Sequence, residues 1–112
     1  MDNFSSQIEP KGNIVVVHAS GRVDSETAPT LETELLKAVA LSPKLILNLK
    51  HVDYMSSAGI RAVVKAAQAA EQRGGALKLA AASELIESVL YTVGISDKVK
   101  SYLTVENAIM NF

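Results

Sequence analysis

Short apolar runs that alternate with stretches of helical periodicity are the strongest constraint on how this chain folds. Residues 14–19 form a nearly unbroken apolar run that is rich in β-branched side chains, which predicts a strand buried on both faces. Residues 44–50 place three leucines on one face and predict a second interior strand. Residues 60–67 repeat their apolar side chains at helical spacing, so they predict an amphipathic helix that directly follows that strand.

The complete pattern predicts the order β-β-α-β-α-β-α-β-α. Weakly alternating residues 3–9 are expected to form a hairpin with residues 14–19, and further short strands are expected at 76–81 and 99–101. The third helix is predicted to begin after Ser83, to run through Leu85, Ile86, Val89 and Leu90, and to end at Gly94. Possible helix caps precede the four helices, at Thr27, Ser56 or Ser57, Ser83 and Thr104.

This order predicts an α/β fold in a single domain over residues 1–112. Strands that alternate with helices give right-handed crossovers, so we expect a four- to five-stranded mixed, mostly parallel sheet with about four helices. Functional groups in such folds gather at the carboxyl ends of the strands. Two polar loops satisfy that condition, one at Asp24-Ser25 and one at Ser56-Ser57.

Composition and missing motifs argue against several classes of function. A formal net charge of −1 speaks against a protein that neutralises nucleic-acid phosphates. There are no cysteines, and His18 and His51 do not have metal-ligand spacing, so we expect no metal site. No phosphate-binding glycine loop is present, so no cofactor is predicted. No apolar run approaches the length of about 20 residues that crosses a bilayer, and a cytoplasmic location is expected.

The paired serines at the start of the second helix have two possible roles. A serine there can cap the helix with its side-chain oxygen. It can also carry a phosphate, which the free N–H groups at a helix N-terminus stabilise. A triad of Ser57, His51 and Asp24 can be drawn on paper, but the G-x-S-x-G turn of serine hydrolases is missing.

The second helix carries a series of small side chains, at Ala58, Ala62, Ala66 and Ala69. We expect this series, with Arg61 and Lys65, to lie on the outer face of the helix. Good helix formers on an exposed face explain it equally well as a docking face that lets another protein approach closely.

Together these features make the chain resemble the STAS domain of the bacterial anti-sigma factor antagonists. The resemblance covers nearly the whole chain. It rests on the Gly-Arg-Val-Asp sequence at 21–24, the leucine-rich strand at 45–49, the Val-Asp-Tyr-Met-Ser-Ser-Ala-Gly-Ile-Arg sequence at 52–61, and the Leu-Tyr-Thr-Val-Gly-Ile sequence at 90–95. The serine segment, at this point in this order of elements, is its most specific part.

The resemblance implies a non-catalytic switch in a partner-switching pathway. The unphosphorylated form would bind an anti-sigma factor that is also a serine kinase of the GHKL ATPase type, and so free a sigma factor or another target. Phosphorylation would end that complex, and a PP2C-type phosphatase would restore it. By position the modified serine is Ser57, and Ser56 is the second candidate because it stands where many members carry aspartate.

The same resemblance places a kinase-contacting aspartate at Asp24, near the phosphosite. The predicted partner-binding residues are Asp24, Ser56, Ser57, Ala58, Gly59, Arg61 and Ala62. Alternatives that stay open are a STAS-type module that binds a ligand or nucleotide, an unphosphorylated scaffold, and a small hydrolase that uses Ser57.

Overall fold

Five strands form one mixed sheet in the computed structural model, which describes residues 4–112. The strands are β1 (Phe4–Lys11), β2 (Ile14–Val23), β3 (Lys44–Met55), β4 (Ala76–Ala80) and β5 (Ser101–Tyr102). They lie in the order β1-β2-β3-β4-β5; β1 pairs antiparallel with β2, and every later pair is parallel. The predicted α/β fold and hairpin are confirmed, while Asn3, the first residue of the predicted hairpin, lies outside the described residues.

Four helices cover the two faces of the sheet unequally. They are α1 (Ala28–Leu41), α2 (Ser57–Gln72), α3 (Glu84–Thr92) and α4 (Val105–Met110). The first three pack on one face, in a core that includes Leu31, Val63 and Ile86. The last helix packs on the other face, where Ala108 contacts a small cluster that includes Val16 and Ile46.

Both central strands extend further than their apolar runs predict. After two irregularities in register, β2 and β3 stay paired to the end, so that Arg22 lies opposite Tyr54 and Val23 opposite Met55. Val23 and Met55 are buried, whereas Tyr54 is exposed. The extension carries polar residues on its open side, and this interrupts the apolar pattern on which the strand prediction depended.

Two further details of the prediction are wrong. Ala62 and Ala66 do not lie on an outer face of α2; they are buried, because α2 packs closely against α1. The last strand forms at Ser101–Tyr102 and not at residues 99–101.

No helix within residues 4–112 combines the length and the apolar character that crossing a membrane requires.

Candidate functional site

The two polar loops predicted to meet at the sheet edge are held together by the backbone. The amide of Ser56 donates to the carbonyl oxygen of Val23 at 2.8 Å, which joins the ends of β3 and β2. Asp24 follows Val23 directly, and Ser57 follows Ser56, so this bond fixes the start of each loop relative to the other. The starts of the Asp24 loop and of the serine segment therefore lie side by side, and the role of Asp24 in binding a kinase stays a prediction.

Asp24 organises its own loop. Its Oδ1 accepts hydrogen bonds from the amides of Glu26 at 3.0 Å and Thr27 at 3.1 Å. The Thr27 hydroxyl accepts from the Asp24 amide at 2.9 Å and donates to the Arg22 carbonyl at 2.8 Å. Thr27 therefore occupies the predicted N-cap position of α1, but its side chain closes the loop and makes no capping bond to the helix.

These hydrogen bonds favour the ionised form of Asp24. The Thr27 amide has the largest effect. The Glu26 amide, the Thr27 hydroxyl and the Arg22 guanidinium follow among the favourable contacts, and together they hold the pKa of the Asp24 carboxyl below its usual range. Because the folded-state pKa is lowered, the stabilisation is present above the unfolded-state pKa. It is lost as the pH falls through the folded-state pKa.

This linkage predicts the pH dependence of an Asp24→Asn variant. The variant is expected to be less stable than the wild type at neutral pH, and the difference is expected to shrink on acidification, since a protonated aspartate resembles asparagine. Urea unfolding of both proteins at a series of pH values measures the difference, and titration of the other carboxyls cancels between them. A difference that grows toward acid pH would contradict this assignment.

Arg22 extends the site across the two strand ends. Its Nε lies 3.3 Å from Oδ2 of Asp24, and its guanidinium lies 4.0 Å from the centroid of the Tyr54 ring. The site therefore contains an ion pair whose cation stacks on an aromatic ring. The contact between Tyr54 and Arg22 follows from the register of the parallel strands, which places the two residues opposite each other.

The two serines have different environments. Ser56 is partly buried at the N-cap of α2, and its Oγ accepts a long hydrogen bond of 3.4 Å from the Gly59 amide. Ser57 is the first residue of the helix, and its side chain is exposed. Among the described residues, no hydrogen bond to the Ser57 hydroxyl is present. The cap role and the accessible hydroxyl therefore belong to different serines.

Gly59 lies where α2 crosses the strand ends. A Cβ atom built on Gly59 would lie 2.6 Å from Cγ1 of Val23 and 2.8 Å from Cγ of Met55, both shorter than real carbon contacts. The absence of a side chain therefore lets the first turn of the helix approach the ends of β2 and β3. Gly59 sets the height of Ser57 above the sheet.

The predicted partner-binding residues divide by exposure. Ser57 and Arg61 are exposed, while Asp24, Ser56 and Ala58 are partly buried. Gly59 and Ala62 are buried, so the predicted outer-face position of Ala62 is wrong, and both residues support the surface from below. The accessible part of the set lies on the Asp24 loop and the first turns of α2.

The structure does not bring Ser57, His51 and Asp24 together as a catalytic triad. His51 lies within β3, opposite Ser20, and in the part of the chain that the structure describes it makes no hydrogen bond to Ser57. Asp24 is engaged by the amides of its own loop and by Arg22. Over residues 4–112 there is no group of three or more His, Asp or Glu side chains with the geometry to hold a metal ion.

Comparison with known proteins places the chain in a family. The anti-sigma-B factor antagonist of Bacillus subtilis (strain 168) is 28% identical over 95 residues, which are 85% of this chain and 87% of that protein. The crystal structure of an anti-sigma factor antagonist from Mycobacterium paratuberculosis superposes with a TM-score of 0.88 at 23% identity, over 96% of this chain and 92% of that chain.

A second solved structure, of the Bacillus cell fate determinant SpoIIAA in the phosphorylated form, superposes with a TM-score of 0.73 at 21% identity, over 96% of this chain and 98% of that chain. At these identities the two structures demonstrate the shared fold. A family model described as the STAS domain matches residues 5–108, nearly the whole chain. The chain therefore belongs to the STAS domain family.

Proposed function

We propose that this protein is an anti-sigma factor antagonist whose binding is switched by phosphorylation of Ser57. In its unphosphorylated form it binds an anti-sigma factor that is also a serine kinase of the GHKL ATPase type. The kinase transfers the γ-phosphoryl group of ATP to the Ser57 hydroxyl, ADP leaves, and the complex dissociates. A PP2C-type phosphatase then hydrolyses the phosphoserine and restores the binding form.

The exposed, unbonded hydroxyl of Ser57 at the first position of α2 is the observation that carries this proposal. A kinase requires an accessible acceptor, and the Ser57 hydroxyl is accessible without any rearrangement of the helix. The hydroxyl of Ser56 is partly buried and accepts a bond from the Gly59 amide, so it would have to leave its capping position. The geometry therefore favours Ser57 over Ser56.

The electrostatics of the site support release after phosphorylation. A phosphoserine adds about −1.5 to −2 charges, and the free amides at the start of α2 can accommodate it without unfolding the helix. The neighbouring loop carries Asp24, whose ionised form is favoured by its hydrogen bonds. Two anions at one desolvated interface repel each other, and a loss of about 1.4 kcal/mol lowers the affinity tenfold.

The related proteins support both the antagonist function and its control by phosphorylation. The relative from Bacillus subtilis is an anti-sigma-B factor antagonist, and the SpoIIAA structure of the same fold is that of a phosphorylated form. The Bacillus subtilis relative supports an anti-sigma factor as the binding partner of this protein. The kinase activity of that partner, the phosphatase and the position of the phosphate are parts of the proposal.

Phosphate mapping tests the proposed site. The purified protein is incubated with ATP and each purified anti-sigma factor kinase encoded in the same genome, then digested with trypsin. Cleavage after Lys50 and Arg61 releases residues 51–61, which contain both serines, and fragmentation of that peptide separates them. We expect one phosphate, on Ser57.

Two alanine variants serve as a matched pair in that experiment. Ser57→Ala is expected to accept no phosphate, whereas Ser56→Ala is expected to be modified at a comparable rate because its neighbour remains exposed. Phosphate on Ser56 in the wild type would show the site assignment to be wrong. No phosphate from any of the kinases would overturn the switch.

A further inference from the structure

A groove extends along α2 from Ser57 to the turn that follows α3. It encloses about 440 Å³. Ile60 and Val64 of α2 line one side, and Val93 and Ile95 line the other. Val93 is 48% exposed, which is high for a side chain of this type beside a core. We call this feature the α2–α3 groove; its surface is mainly apolar and is open to solvent.

The charges that line the α2–α3 groove are all positive. Arg61 and Lys65 project along its edge, and no carboxylate lines it. Lys65 lies 3.8 Å from Glu32 of α1, an exposed pair of the kind that contributes little. Arg61 makes no ion pair or hydrogen bond through its side chain within residues 4–112. Although the net charge of the protein is −1, the α2–α3 groove beside Ser57 is apolar and has a basic edge.

We propose that the α2–α3 groove receives an acidic segment of the anti-sigma partner. An apolar side chain of that segment fills the space between Val64 and Val93, and its carboxylates face Arg61 and Lys65. Charge complementarity is the argument for this occupant. Lys65 already has Glu32 as a partner, but burial of the basic edge against a neutral or basic segment would leave the Arg61 guanidinium without a counter-charge. This inference rests on the proposed function, since the occupant is the same partner.

The position of Ser57 connects the groove to the switch. Ser57 lies at one end of the groove and four residues before Arg61, so the two side chains are neighbours on one face of the helix. A phosphate on Ser57 would attract the Arg61 guanidinium and repel a carboxylate bound beside it. Phosphorylation would therefore act on the groove as well as on the Asp24 loop.

Two substitutions with matched controls test the groove. Lys65→Glu reverses a charge at its edge; Lys37→Glu is the control, because both side chains are 64% exposed and each pairs with a glutamate. Val93→Asp places a carboxylate on the apolar wall, and Leu41→Asp does the same at an exposed leucine outside the groove. Binding to the purified anti-sigma factor kinase is measured by calorimetry, and thermal unfolding confirms that each variant folds.

We expect both groove variants to bind at least tenfold more weakly than the wild type, and both controls to bind within twofold. If the partner binds the wild type and all four variants alike, the groove is not the docking surface, and the proposed function stands. If no anti-sigma factor kinase binds the wild type, the proposed function fails, and the occupant of the groove fails with it.

A cross-link identifies the occupant independently. The chain has no cysteine, so Val93→Cys provides a single attachment point for a photoactivated cross-linker, and Met110→Cys on α4 is the control. We expect the Val93 position to capture a partner peptide that contains aspartate or glutamate next to an apolar residue. Capture of a basic peptide, or equal capture from the control position, would overturn the proposal.

Discussion

Replacing Ser57 with aspartate is expected to weaken binding of the anti-sigma partner by about 10- to 100-fold, equivalent to about 1.4–2.8 kcal/mol. The Ser57 side chain is exposed at the start of α2, so the variant is expected to fold normally. At the interface, however, the new carboxylate adds a charge beside the ionised Asp24 and loses its hydration when the partner binds. Calorimetric titration of each variant into the kinase gives the affinity.

Asparagine is the control for this substitution, because it has the shape of aspartate without the charge. We expect Ser57→Asn and Ser57→Ala to bind within about threefold of the wild type, a range of less than 1 kcal/mol. If Ser57→Asn binds as weakly as Ser57→Asp, shape and not charge controls the interface, and the electrostatic account of release is wrong.

The second large effect concerns the packing beneath the switch. Gly59→Ala is expected to destabilise the protein by about 1–3 kcal/mol, the usual cost of forcing extra atoms into a packed core. The added methyl group would meet Val23 and Met55 at 2.6 and 2.8 Å, and Val23 is fully buried and β-branched, so it cannot turn aside. Urea unfolding followed by circular dichroism measures the change in the free energy of unfolding.

Two comparisons show whether the cause is this contact. Gln68→Ala, at an exposed position of α2, is expected to change the free energy of unfolding by less than about 0.5 kcal/mol. Val23→Ala removes the nearest contacting atom, so the double variant Gly59→Ala with Val23→Ala is expected to lose less stability than the sum of the two single losses. If the two losses of stability are strictly additive, the contact between residue 59 and Val23 is not the cause of the destabilisation.

Much of the fold is predictable because local patterns and pairing rules agree. The β-branched run at 14–19 and the leucines at 44–50 lie in the two central strands, and Gly74 ends the helical region of α2 with a positive φ of 82°. The serine pair and the Asp24 loop come together because each follows a parallel strand of the same sheet. The two loops lie side by side because of the sheet topology, and that topology can be predicted from the order of strands and helices along the chain.

The remaining features depend on distances between elements that periodicity does not contain. Alanine is compatible with an exposed helix face and with a close helix–helix contact, so the approach of α1 to α2 could not be read from Ala62 or Ala66. The stacking of Arg22 on Tyr54 requires the register after two irregularities in the pairing of β2 with β3. Which serine caps α2 requires the exact start of the helix, the feature that sequence patterns locate least well.

The affinity of the phosphorylated protein is the most direct test of the switch. The wild type is phosphorylated enzymatically, purified from the unmodified form, and both forms are titrated into the same preparation of the kinase in the presence of ADP, so that no further transfer occurs. We expect phosphoserine at position 57 to weaken binding by at least about 100-fold, or about 2.8 kcal/mol. Equal affinity of the two forms, within about twofold, would contradict it.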